Sequence, residues 1–124
     1  MKKLVFVFIL VLVFMCGCSS DTTPKVVKVN KDKAMELMND GALLVDVRSL
    51  MEYNQGHIDK VINIDVQDIL NTTDSLVYEN ANISKDKKII VYCRSGSRSS
   101  SAASKLIELG YKNVYDLGSI DNWN

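Results

Sequence analysis

Lys88-Ile89-Ile90-Val91-Tyr92-Cys93-Arg94-Ser95-Gly96-Ser97-Arg98 is the stretch whose reading decides the fold. An apolar run leads into a cysteine, and Ser99-Ser100-Ser101-Ala102-Ala103-Ser104-Lys105-Leu106 then has the composition of a helix. A cysteine between a buried strand and a helix start faces backbone N–H groups that lack carbonyl partners. Those donors and the positive end of the helix favour an anion. The thiolate is therefore favoured at Cys93, and the thiolate is the nucleophilic form. Gly96 lets the loop turn tightly, while Arg94 and Arg98 add fixed positive charge. The hexapeptide 93–98 reads as a loop that makes a reactive sulfur and holds an anion beside it.

Working outward, residues 26–29 read as a short strand. Asn30 is a good N-cap for a helix over 31–39, with Ala34, Leu37 and Met38 on one face. Gly41 stops that helix. Residues 43–47 (Leu-Leu-Val-Asp-Val) are mostly apolar, as expected for a strand covered on both sides of a parallel sheet. Ser49 and Glu52 have capping-box spacing, which predicts a short helix over 50–55 ended by Gly56. A strand over 61–64 and a helical turn over 66–70 follow. Residues 71–86 are polar and carry no clear period. The helix after the cysteine loop runs to Leu109 and stops at Gly110. Residues 113–117 form a last strand, and Gly118 turns the chain toward Ile120 and Trp123. Strands alternating with helices predict an α/β domain with a central, mainly parallel sheet flanked by helices. In such sheets the site lies at the carboxyl ends of the strands, where Cys93 sits.

The N-terminal residues stand apart from the fold. Lys2 and Lys3 precede a continuously apolar run from Leu4 to Phe14. That run is short for a membrane span and has the length of a secretory core segment. Met15-Cys16-Gly17-Cys18 and a polar stretch follow, which resembles a bacterial lipoprotein signal. Met15 stands where leucine is usual. The expectation is a signal peptide over 1–17, a lipid on Cys18, a polar tether over 18–25 and one domain over 26–124. It implies an exported protein, lipid-anchored to a bacterial envelope membrane. Of the three cysteines, Cys16 then leaves with the signal and Cys18 is acylated, so Cys93 remains as the one free thiol. An unpaired cysteine in an oxidising compartment points to a chemical task. Fifteen basic and fifteen acidic side chains cancel, and no basic patch suggests nucleic acid as a partner.

The ordered blocks Asp46-Val47-Arg48-Ser49, Glu52-Tyr53, Gly56-His57-Ile58, Ile62-Asn63-Ile64, Tyr92 through Ser99, Ala102-Ala103, Leu109-Gly110-Tyr111 and Leu117-Gly118 resemble a single-domain rhodanese, the sulfurtransferase family. The resemblance covers nearly all of the domain. It implies that Cys93 carries sulfur as a persulfide. Thiosulfate or a similar small anionic donor would supply it, and a thiol or cyanide would accept it. No metal or cofactor beyond the covalent persulfide is implied, and the domain is expected to be a monomer. Arg94, Ser95, Gly96, Ser97, Arg98 and Ser99 map onto the substrate-binding loop. Thiosulfate is preferred to mercaptopyruvate because two arginines suit a compact dianion. Four residues separate Cys93 from Arg98, the sulfurtransferase pattern; related phosphatases and arsenate reductases have one more. Asp59-Lys60-Val61 and Ser119 depart from the family pattern.

Plainer readings stand beside these. Arg98 either orients substrate or braces the loop through backbone carbonyls, and Arg94 points to solvent. Asp46 and Arg48 either shape the pocket or form a structural ion pair, the ion pair being the simpler reading. His57 is a structural hydrogen-bonder, Glu52 a helix cap, and Ser99 to Ser101 supply cap and first-turn groups. The rival to turnover is a module that binds or relays sulfane sulfur for a partner.

Overall fold

The structure, a computed structural model, describes residues 23–124; the expected signal peptide and Cys18 lie outside the described residues. A five-stranded sheet has the order β1 (Val27–Lys28), β7 (Asn113–Ser119), β6 (Lys88–Cys93), β2 (Leu43–Asp46), β3 (Val61–Asn63). Every neighbouring pair in it is parallel. Strand β6 is central, so both of its faces are covered. Ile89, Val91 and Cys93 enter one core, with Val66 and Ile69 of α3 (Val66–Leu70) and Ala102, Ala103 and Leu106 of α4 (Ser97–Glu108). Ile90 and Tyr92 enter the other, with Ala34 and Leu37 of α1 (Lys31–Asn39). This two-sided burial explains why the β6 sequence is a continuous apolar run rather than an alternating one. The α/β architecture is the one expected.

Caps also follow the sequence. The Asn30 side chain accepts from Lys33 N–H at 2.9 Å. Ser49 and Glu52 form a reciprocal capping box on α2 (Leu50–Asn54).

Two local expectations are corrected, and one unassigned region gains a structure. First, α4 begins at Ser97 rather than Ser99. Its cap is Gly96, left-handed at φ +102° and without a side-chain cap bond, so the serine run is first-turn helix and not cap. Second, the last strand runs on to Ser119. The β6–β7 register jumps between Val91↔Asp116 and Tyr92↔Gly118, so the chain absorbs one extra residue as a bulge and Gly118 sits within the strand at φ +81°. That continuation carries β7 up beside the cysteine loop, pairing Cys93 with Ser119. The polar region 71–86, unassigned from sequence, is structured. It contains an antiparallel hairpin, β4 (Val77–Tyr78) with β5 (Ala81–Asn82). Glu79 and Asn80 both have positive φ at its turn, as a two-residue primed turn requires.

What holds that region is tertiary. Leu76 is buried against the core. The buried Tyr111 hydroxyl donates to Ile83 carbonyl at 2.8 Å and accepts from Leu76 N–H at 2.9 Å. The Lys85 ammonium donates to the carbonyls of Asp74 and Leu109, tying the segment to the end of α4.

Candidate active site

The chain runs from β2 toward β3 on one side and from β6 toward β7 on the other. Strands β2 and β6 lie side by side, so their carboxyl ends form the topological switch point of the sheet. Cys93 ends β6 there, fully buried. Its sulfur accepts from Gly96 N–H at 3.0 Å and from Ser99 N–H at 3.3 Å. Two backbone dipoles therefore point at one sulfur, an arrangement that complements negative charge on it. Gly96 is needed for its backbone angle and not for space. A Cβ there would meet Gly118 Cα at 3.9 Å, an ordinary contact, but φ +102° is strained for any L side chain. Ser99 is buried, and its hydroxyl donates to the Gly96 carbonyl at 3.1 Å, closing the loop on itself. Arg94, Ser95 and Ser97 are exposed on the rim.

Arg98 does not brace backbone carbonyls. Its Nη1 and Nη2 donate to Glu52 Oε1 and Oε2 at 2.7 and 3.0 Å, a two-pronged ion pair from the cysteine-loop side to α2. The Ser49 hydroxyl also donates to Glu52 Oε1, at 3.2 Å. The Arg98 hydrogen bonds hold the Glu52 carboxyl down to about 2, and Glu52 in turn raises Arg98 above the ordinary arginine value. Glu52 is thus a site-associated residue that the sequence showed only as a cap. No local signal pairs two residues 46 positions apart. Ser119 is a second such residue: its hydroxyl donates to the Arg94 carbonyl at 2.6 Å and accepts from Asp121 N–H at 3.0 Å. It joins the loop to the 3-10 turn Ile120–Trp123.

Asp46 and Arg48 form the structural ion pair. Both are buried. Asp46 Oδ2 accepts from Arg48 Nη2 at 2.7 Å and from the Tyr92 hydroxyl at 2.7 Å; Oδ1 accepts from Arg48 Nε at 3.0 Å and Arg48 N–H at 2.9 Å. Arg48 also donates to the Gly56 carbonyl at 2.7 Å, and Tyr92 accepts from Ile58 N–H at 3.3 Å. The bond to Asp46 raises Arg48, and burial raises the Tyr92 phenol. Side chains alternate along a strand, so Tyr92 and this network lie on the sheet face opposite Cys93. The pair pins β2 to β6 and to the 56–58 segment rather than lining the sulfur. His57 has Nδ1 2.9 Å from Ile58 carbonyl oxygen and stacks on Tyr53 at 4.0 Å, a structural role. Among the described residues, no three His, Cys, Asp or Glu side chains gather as a metal would require.

Known proteins share this frame. The model of the rhodanese-like domain matches residues 30–124. The thiosulfate sulfurtransferase GlpE of Haemophilus influenzae is 32% identical over 97 residues, covering 77% of this chain and 86% of that protein. A tRNA uridine(34) hydroxylase of Sodalis glossinidius is 40% identical over 74 residues, 60% of this chain, but this chain spans only 21% of its length. The solved human single-domain sulfurtransferase TSTD1 superposes with a TM-score of 0.67 at 23% identity, over 79% of this chain and 93% of that one. With a matching domain that begins at the cap of α1 and runs to the last residue, this chain belongs to the rhodanese-like family, among sulfurtransferase relatives.

Proposed function

We propose that the domain transfers sulfane sulfur through a persulfide on Cys93. The observation that carries this is the pair of N–H groups, from Gly96 and Ser99, aimed at one buried sulfur. The thiolate of Cys93 attacks the outer sulfur of thiosulfate; the sulfur–sulfur bond breaks and its electron pair leaves with sulfite. Cys93 then bears a persulfide whose outer sulfur is anionic. Cyanide or a thiolate attacks that sulfur, and the electron pair of the broken bond returns to Cys93. The N–H groups of Ser97 and Arg98, in the first turn of α4, have no carbonyl one turn earlier and suit the outer sulfur. Cys93 is buried, while Arg94, Ser95 and Ser97 of the same loop are exposed to incoming donor. The N-terminal lipoprotein pattern supports export and a lipid on Cys18. The mass of the mature N-terminus tests it, and an unmodified or uncleaved end would sink it.

The test of function is thiocyanate formation by the purified full-length chain from thiosulfate and cyanide, beside Cys93→Ser. Turnover that vanishes in the variant supports the reading. A persulfide that accumulates on Cys93 without turnover would instead indicate a sulfur carrier that serves a partner. Neither product nor persulfide would overturn both.

A further inference from the structure

The expected preference for thiosulfate rests on two free arginines, and the structure leaves one. Arg98 turns the Nη1/Nη2 edge of its guanidinium to Glu52, which offsets its charge. The remaining buried cation near the switch point, Arg48, is spent on Asp46. Arg94 is exposed, and no ion pair engages its guanidinium among the described residues. Of the three arginines around the loop, Arg94 alone is in no ion pair among the described residues.

We propose that Glu52 sets the charge preference of the site: by neutralising Arg98 it matches the loop to a monoanionic sulfane-sulfur donor rather than to a dianion. This rests on the sulfur-transfer reading above. Glu52 is a positioning residue that acts through Arg98, and it does not touch donor. By offsetting the Arg98 charge, Glu52 weakens the attraction for each unit of donor charge, so a dianion loses more than a monoanion does.

Methanethiosulfonate is the discriminating probe, since it is thiosulfate with one anionic oxygen replaced by a methyl group. The reaction is otherwise the same: Cys93 thiolate takes the outer sulfur and methanesulfinate leaves with the electron pair. Thiocyanate formation by the full-length protein is followed with each donor, for wild type, Glu52→Gln and Glu52→Asp. Glutamine keeps the capping-box residue type and the bond to Ser49, so α2 is retained. Wild type is expected to show the lower KM for methanethiosulfonate. In Glu52→Gln, kcat/KM for thiosulfate should rise about fivefold relative to methanethiosulfonate, the size of one unit-charge interaction over several ångströms near a protein surface. That gain should shrink at about 0.5 M salt. Glu52→Asp keeps the charge but shortens its reach, so it should slow both donors together and leave their ratio near wild type. A purely structural brace would move both donors alike in Glu52→Gln, and that result, or a lower wild-type KM for thiosulfate, would overturn the proposal. Absence of Cys93-dependent turnover with either donor would instead remove the sulfur-transfer reading on which it stands.

Discussion

Replacing Arg48 with methionine keeps the buried aliphatic stem and removes the guanidinium, which isolates the charge it supplies to Asp46. Asp46 is fully buried and loses the Nε and Nη2 donors. It retains Arg48 N–H at 2.9 Å and the Tyr92 hydroxyl at 2.7 Å. The Gly56 carbonyl loses its donor as well. Breaking one side of a buried ion pair costs about 3–5 kcal/mol. The two surviving hydrogen bonds place this case at about 3 kcal/mol. With a urea slope of about 1–1.5 kcal/mol/M for a domain this small, the midpoint should fall by about 2–3 M. Equilibrium urea unfolding followed by tyrosine and tryptophan fluorescence measures it. The partner experiment is Asp46→Asn with Arg48→Met. Asparagine needs no counter-charge; its Oδ1 still accepts from the residue 48 N–H and its Nδ2 donates to the Tyr92 hydroxyl, so the double variant should regain about 1–2 kcal/mol over Arg48→Met. If Arg48→Met costs under about 1 kcal/mol, or the double variant is no more stable than the single, the pair is not the buried clamp described above.

Other expectations follow from the same geometry. Gly96→Ala meets no clash but forces a side chain onto φ +102°; it should cost about 1–2 kcal/mol and, by turning the Gly96 N–H off the sulfur, lower sulfur transfer by more than tenfold. Wild-type unfolding stability together with wild-type turnover in that variant would contradict the cradle. Tyr111→Phe leaves the Leu76 N–H and the Ile83 carbonyl without their buried partner. It should destabilise by about 1–3 kcal/mol, and limited proteolysis should then cut within residues 71–86. Cleavage elsewhere first would show that this hydroxyl does not anchor the region.

Legibility in the sequence tracked how local the cause was. The apolar run of β6 is a local consequence of burial on both faces, and Asn30, Ser49 and Glu52 cap helices within three residues. Those elements stood where expected. The 71–86 hairpin did not show, because its order depends on Tyr111 and Lys85 reaching it from outside its own turn. The extension of β7 to Ser119 was equally hidden, since a bulge is a property of two paired strands and not of either alone.

At the site, the amino-acid order by itself determined the candidate nucleophile, its strand-to-helix setting and the glycine that lets the loop turn, because all three lie within four consecutive residues. Only the tertiary structure decided that Arg98 pairs with Glu52. Arg98 meets Glu52 across 46 positions and Arg48 meets Asp46 beneath Tyr92, so two of the three cations around the switch point are already spent. Which charges remain free depends on which side chains the fold brings within hydrogen-bond reach; the Asp46–Arg48 pair, two positions apart, was legible, whereas an ion pair across 46 positions leaves no period or spacing to read along the chain.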